Sequence, residues 1–226
     1  MGTDNLYHKN REKRKRDLER KQNSRSLKEA ILIICEGKKT EVKYFKELFN
    51  SFSNVEIIHE NSSPSSIIKT AEEKKCEYDK LYCVFDRDRH TDLNRAFVYI
   101  KKQKKIKLIF SSPCFELWFW LYFKDKIPNF YIGGEKSPCK VLIDELKQIK
   151  VMKGYEKNLN KLQNELFDRN RIEVAISRAK NHENILKKDY CTNITSHNDY
   201  IEFIGKISQE MLSYTNVFLL IEELSQ

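Results

Sequence analysis

The feature that most limits what this chain can fold into is an alternation running from Ala30 to about Ser111. Short apolar runs rich in β-formers alternate there with segments whose apolar residues recur at helical spacing. That pattern marks βαβ units and hence a parallel sheet with crossover helices. Ala30 to Cys35 is almost continuously apolar, as a strand covered on both faces must be. After Thr40, a residue suited to cap a helix, Val42, Phe45, Phe49 and Phe52 fall at helical intervals. Val55 to His59 is the second strand, and "NSSPSS" supplies turn and cap residues before a helix expected from about Ile67 to Cys76. Leu81 to Phe85 follows as the third strand, Leu93, Ala96, Phe97 and Ile100 as the stripe of a third helix, and Ile106 to Phe110 as the fourth strand. The expected fold is α/β: a small parallel, Rossmann-like sheet flanked by helices, with right-handed connections.

The rest of the chain reads as helical. "PCFELWFWLYF" is too apolar for a surface helix, so Trp118, Phe119 and Trp120 are expected in the core. Beyond the "IGGEKSP" loop, helical stretches are expected near Cys139 to Lys150, Leu159 to Lys187 and His197 to Leu224. The organisation is then a basic arm over 1–28, a core over 29–130 and a helical region over 131–226 packed on it. With 40% hydrophobic and 12% aromatic residues in 226, such a core can be filled. No run approaches the roughly 18 apolar residues of a membrane span, and the N-terminus lacks the apolar segment of a signal peptide. The expectation is a cytoplasmic protein with no membrane partner. Six cysteines (35, 76, 83, 114, 139 and 191) form no C-x-x-C pair, and several sit in apolar runs, so they read as free thiols.

The net charge of +9 is concentrated. From Lys9 to Lys28 there are ten lysines and arginines against three acids, with only Leu18 and Leu27 as apolar interruptions. Such an arm is suited to phosphates through counterion release, the alternative being a solvated tail.

The first apolar run ends on "EGKK", and the third ends on "FDRDRH". Ligands of an open parallel sheet bind outside the carboxyl ends of its strands, and both Glu36 and the pair Asp86 and Asp88 fall at that edge. The i, i+2 spacing points both aspartates to one side of an extended chain, where they can share a hard cation such as Mg²⁺ or Mn²⁺. Lys38 and Lys39, in the turn before a helix N-terminus, are placed to hold a phosphate, or are simply solvated. Arg87 and Arg89 are either local counterions or nucleic-acid contacts. Glu41 complements the helix dipole or assists the cation, and His90 is a proton donor or an exposed loop residue. Glu116 lies in an otherwise apolar helix opening and is expected to face the site or a cation such as Arg87 or Arg89. Ser112 is expected on the same rim.

"IICEGKKTE" followed fifty residues later by "VFDRDRH" resembles the Toprim domain, in which a glutamate after the first strand and a D-x-D after the third surround a divalent cation. "FSSPCFELWFWLYF" narrows the resemblance to the RloB-like family, with E-G-x-x-T-E, D-R-D and S-x-P-x-F-E-x-W in that order. The resemblance implies a metal-dependent phosphodiester enzyme: a nuclease of bacterial anti-phage defence, acting on RNA, tRNA included, rather than DNA. It implies Mg²⁺ or Mn²⁺ held by Glu36, Asp86 and Asp88, with Glu41 matching the second glutamate of the first motif. Relatives often carry an N-P-S/T element near the C-terminus; here "TNITSH" lacks the proline and is given no role. The partners implied are nucleic acid and an ATPase, with a homodimer left open. A non-catalytic sensor subunit on the same fold is the alternative, and Toprim-type nucleotidyl transfer a weaker one.

Overall fold

The computed structural model describes residues 29–87, 90–132, 135–156, 159, 162–190 and 193–225. The basic arm, Asp88, Arg89 and Cys191 lie outside them. Four parallel strands, β1 (Ile31–Cys35), β2 (Val55–His59), β3 (Lys80–Asp86) and β4 (Ile106–Ser112), stand in the order β2-β1-β3-β4. A two-residue β5 (Tyr214–Thr215) joins β4 antiparallel. The chain leaves β1 toward one side and returns to β3 on the other, so the carboxyl ends of β1 and β3 flank the topological switch point of a doubly wound sheet.

Strict alternation divides the core. Ile31, Ile33 and Cys35 of β1 and Tyr82 and Val84 of β3 face one layer, whereas Leu32, Ile34, Leu81, Cys83 and Phe85 face the other. The first layer is covered by α1 (Glu41–Leu48), α4 (Glu116–Phe123), α5 (Pro138–Leu146), the short α6 (Gln163–Leu166) and α9 (Val217–Leu224). The second is covered by α2 (Pro64–Glu73), α3 (Leu93–Lys101) and α8 (His197–Gln209). The long α7 (Arg169–Tyr190) serves both, giving Ile172, Ala175 and Ala179 to one core and Leu186 to the other.

The expected core aromatics are where their chemistry requires. Trp118 and Phe119 are fully buried and Trp120 nearly so. A buried indole must place its N–H, and Trp118 Nε1 donates to Tyr44 Oη at 2.8 Å, which also shares a hydrogen bond with Tyr122 Oη at 2.7 Å. One polar triad therefore ties α1 to α4 inside an otherwise aromatic cluster.

Three local expectations are corrected. The second helix begins at Pro64 rather than near Ile67, because Ser63 takes the N-cap position and proline suits the first helical residue. Leu159 to Lys187 is two helices, since Asp168 caps α7 by accepting from Arg171 N at 2.8 Å. His197 to Leu224 is also interrupted. Met211 adopts φ 52° just beyond α8, and Leu212 N reaches back to Ile207 O at 3.0 Å, a helix stop built without glycine. The chain then extends as β5. Behind β5, the buried Asn216 imitates a strand: Oδ1 accepts from Phe110 N at 2.6 Å and Nδ2 donates to Leu108 O at 3.0 Å. Among the described residues no helix is long and apolar enough to cross a membrane.

Candidate functional site

The ladder between β1 and β3 continues past Cys35, with Glu36 N donating to Val84 O at 3.0 Å. Neighbouring strands lie roughly 4.8 Å apart, so Glu36 and Asp86 leave the sheet from adjacent strands at the switch point. Both line an open cleft of about 480 Å³ with Gly37, Lys38, Glu41, His59, Asn61 and His90. A larger cavity of about 590 Å³ lies beside β4, bordered by Lys107, Glu222 and Glu223. Its charges are already matched, Lys107 with Glu223 and Lys180 with Glu222, whereas the acids of the smaller cleft crowd together.

Asp86 is strongly perturbed there. Burial first, then the charges of Glu41, Glu116 and Glu36, push its carboxyl well above the usual carboxylate range, while the Phe115 backbone N–H pulls the other way. Its Oδ1 is buried and has no hydrogen-bond partner among the described residues. Such a desolvated oxygen, under the charges of three further carboxylates, fits a divalent cation in chemistry as well as in charge.

Glu41, in the first turn of α1, is almost completely buried. Its carboxylate lies against Gly37, where a Cβ would come within 1.9 Å of Oε2. The glycine of "EGKKTE" is thus the cradle of the second glutamate. Thr40 holds the N-cap position but makes no capping bond with its side chain; Oγ1 instead lies 3.5 Å from Tyr155 Oη. Tyr155 Oη donates to Glu116 Oε1 at 3.0 Å, so a tyrosine far along the chain orients the glutamate that opens α4.

His90 Nε2 lies 2.5 Å from Glu36 Oε1, which places the histidine in the cleft rather than in an exposed loop. Lys38 and Lys39 are exposed, and Lys38 lines the cleft. Arg87 reaches toward the C-terminal region, donating from Nε to Ser208 O at 2.8 Å with its guanidinium 5.0 Å from the Tyr131 ring centre. The guanidinium is thereby anchored at the last turn of α8, and Glu116 has the Tyr155 hydroxyl on its Oε1. Ser112 is not on the rim: fully buried, it donates to Leu212 O at 2.6 Å and shares a hydrogen bond with Tyr131 Oη at 2.9 Å. Its role in the fold is to fasten β4 to the segment before β5.

Sequence reasoning missed His59 and Asn61. His59 pairs in register with Cys35 and ends β2, so the strand-end rule that selects Glu36 also applies to it.

A family model described as RloB-like protein matches residues 31–224. The chain belongs to the RloB-like family. No curated protein and no solved structure matches it. The match spans β1 through α9, so the family unit includes the C-terminal helices as well as the sheet.

Proposed function

We propose that this RloB-like chain is a divalent-cation-dependent nuclease that hydrolyses phosphodiester bonds, with RNA favoured over DNA, in anti-phage defence alongside an ATPase. The observation that carries the reading is Asp86 Oδ1 at the switch point, desolvated and without a donor among the described residues, with the charges of Glu41, Glu116 and Glu36 acting on it. Asp86, Glu41 and Glu36, with Asp88 from the same motif, would hold Mg²⁺ or Mn²⁺. The bound cation would supply charge stabilisation to the phosphate and a lowered pKa for water.

The chain's own residues do the remainder. Lys38 and Lys39, ahead of α1, attract the phosphodiester backbone to the open side of the cleft. His90 holds one Glu36 oxygen and is within reach to pass a proton to or from it. Gly37 lets Glu41 pack beneath the turn. The basic arm adds a sequence-independent electrostatic contribution to binding.

The test compares wild type with Asp86→Asn on total RNA and on plasmid DNA, each with Mg²⁺, Mn²⁺ or EDTA, with and without the partner ATPase. Cleavage by wild type and a loss of at least roughly 10²-fold in the variant are expected, each ~1.4 kcal/mol of lost stabilisation being tenfold. Equal cleavage by both proteins would refute the assignment. Absence of cleavage under every condition, with Mg²⁺ still raising the melting temperature of the wild type, would favour the sensor alternative.

A further inference from the structure

Beside the cleft, a second group of ligand-type side chains shares only Glu116 with the acids that act on Asp86, and its two thiols have no part in the proposed hydrolysis. Cys114 Sγ, a Glu116 carboxylate oxygen and Cys139 Sγ all lie within 4.8 Å of one another. Cys114 sits in the turn from β4 into α4, Glu116 is the first residue of α4, and Cys139 lies in the first turn of α5. The two thiols are 25 positions apart in sequence and are brought together by the fold alone. Cys114 and Glu116 are almost wholly buried, and Cys139 is half-buried and open to solvent.

We propose that Cys114, Glu116 and Cys139 form a binding site for a borderline-soft divalent cation, Zn²⁺ above all, separate from the all-oxygen site at Asp86. Two sulfurs and one carboxylate are a zinc donor set, with bonds of about 2.3 Å to sulfur and about 2.0–2.2 Å to oxygen. Those bond lengths put tetrahedral ligands roughly 3.6–3.8 Å from one another, so closure from 4.8 Å needs a contraction of at most about 1.2 Å. Rotation of the two Cys side chains about χ1 supplies a movement of that size. Thiolates also discriminate: Mg²⁺ prefers oxygen and water, so the two neighbouring sites select different metals. Tyr155, donating to Glu116 Oε1, is the outer partner that fixes the carboxylate for its ligand role. Half-exposed Cys139 is the entry, and each thiol gives its proton to solvent on binding. Three protein donors leave one coordination position open, so the cation would cross-link α4 to α5 without being closed off.

The test uses the full chain, purified with a non-thiol reductant, stripped with a chelator and held in excess Mg²⁺. Zn²⁺ is titrated against a chromophoric chelator, and Co²⁺ is added separately to read thiolate-to-cobalt charge-transfer absorption. One equivalent of Zn²⁺ and a charge-transfer band are expected. Cys139→Ser should weaken binding by about 100-fold or more and diminish the band, whereas Cys76→Ser, at an exposed thiol remote from the group, should change neither. Asp86→Asn should keep the band, so the site stands or falls independently of the nuclease reading. Absence of zinc binding with both thiols counted as reduced would overturn the proposal, as would binding unaffected by Cys139→Ser in a variant that melts like wild type. Recovery of a Cys114–Cys139 disulfide that persists under reductant would overturn it too.

Discussion

Gly37→Ala separates the site from the fold more sharply than removing an acid does. The added Cβ would stand 1.9 Å from Glu41 Oε2 and 2.2 Å from both Cδ and Oε1. Ordinary contact begins near 3.4 Å, so the nearest oxygen must retreat by the difference, about 1.5 Å. The atoms in the way are the end of a flexible side chain, and the Gly37 backbone is not among the positive-φ glycines, so alanine is not strained there. Alanine also restricts the unfolded chain, a gain of about 0.4–1 kcal/mol. Stability should therefore hold or rise slightly. Function should not: metal-ligand distances tolerate about 0.2 Å, and a misplacement of about 1 Å can cost roughly 10²-fold in rate. The assay is paired: melting temperature with and without Mg²⁺, and cleavage rate on the preferred nucleic acid. The expected outcome is an unchanged melt in EDTA, a smaller rise with Mg²⁺, and about 10²-fold slower cleavage. Wild-type cleavage with a wild-type Mg²⁺ response would show that Glu41 does not act from beneath the turn. A loss of more than about 1 kcal/mol in EDTA would show that the glycine serves the backbone instead.

Tyr44→Phe should cost about 1–3 kcal/mol in denaturant unfolding, because the buried Trp118 N–H loses its acceptor, while Mg²⁺ binding stays as in wild type. Asn216→Ala should cost more, about 2–4 kcal/mol, since Phe110 N and Leu108 O of β4 lose their partner together; a melt within a degree of wild type would contradict the strand-mimic role. Deleting residues 1–28 should weaken nucleic-acid binding and flatten its salt dependence without moving the melting temperature, and an unchanged salt slope would remove the arm from the binding surface.

What is legible in the sequence is what is local. The four parallel strands show as apolar runs bounded by turn residues, and Val55–His59 matches its expected limits. Glu36 and Asp86 can be placed because strand ends are readable from the run itself. What is not legible depends on partners far along the chain. Tyr155 meets Glu116 across 39 positions and Thr40 across 115, and no periodicity encodes either contact. Cys114 and Cys139 lack the close spacing of zinc motifs because each is delivered by a different helix opening. β5 has two residues, too few to show alternation, and its pairing along β4 is extended by a side chain, that of Asn216.

The composition of the acid group follows from parity. Tyr82 and Val84 of β3 face the layer of α1 and α4, so Asp86, two residues on, continues toward that layer. Glu41 on α1 and Glu116 on α4 are accordingly its leading charged neighbours, with Glu36 behind them. Leu32 and Ile34 face the opposite layer, and Glu36 continues that series. It is met by His90, from the loop leading into α3 on the same side. The cleft therefore straddles the sheet edge, with a desolvated carboxylate group on the side of α1 and α4 and a more exposed carboxylate–imidazole pair on the other. That division suits the proposed hydrolysis. The buried acids suit a fixed cation, and the pair with access to water suits proton transfer.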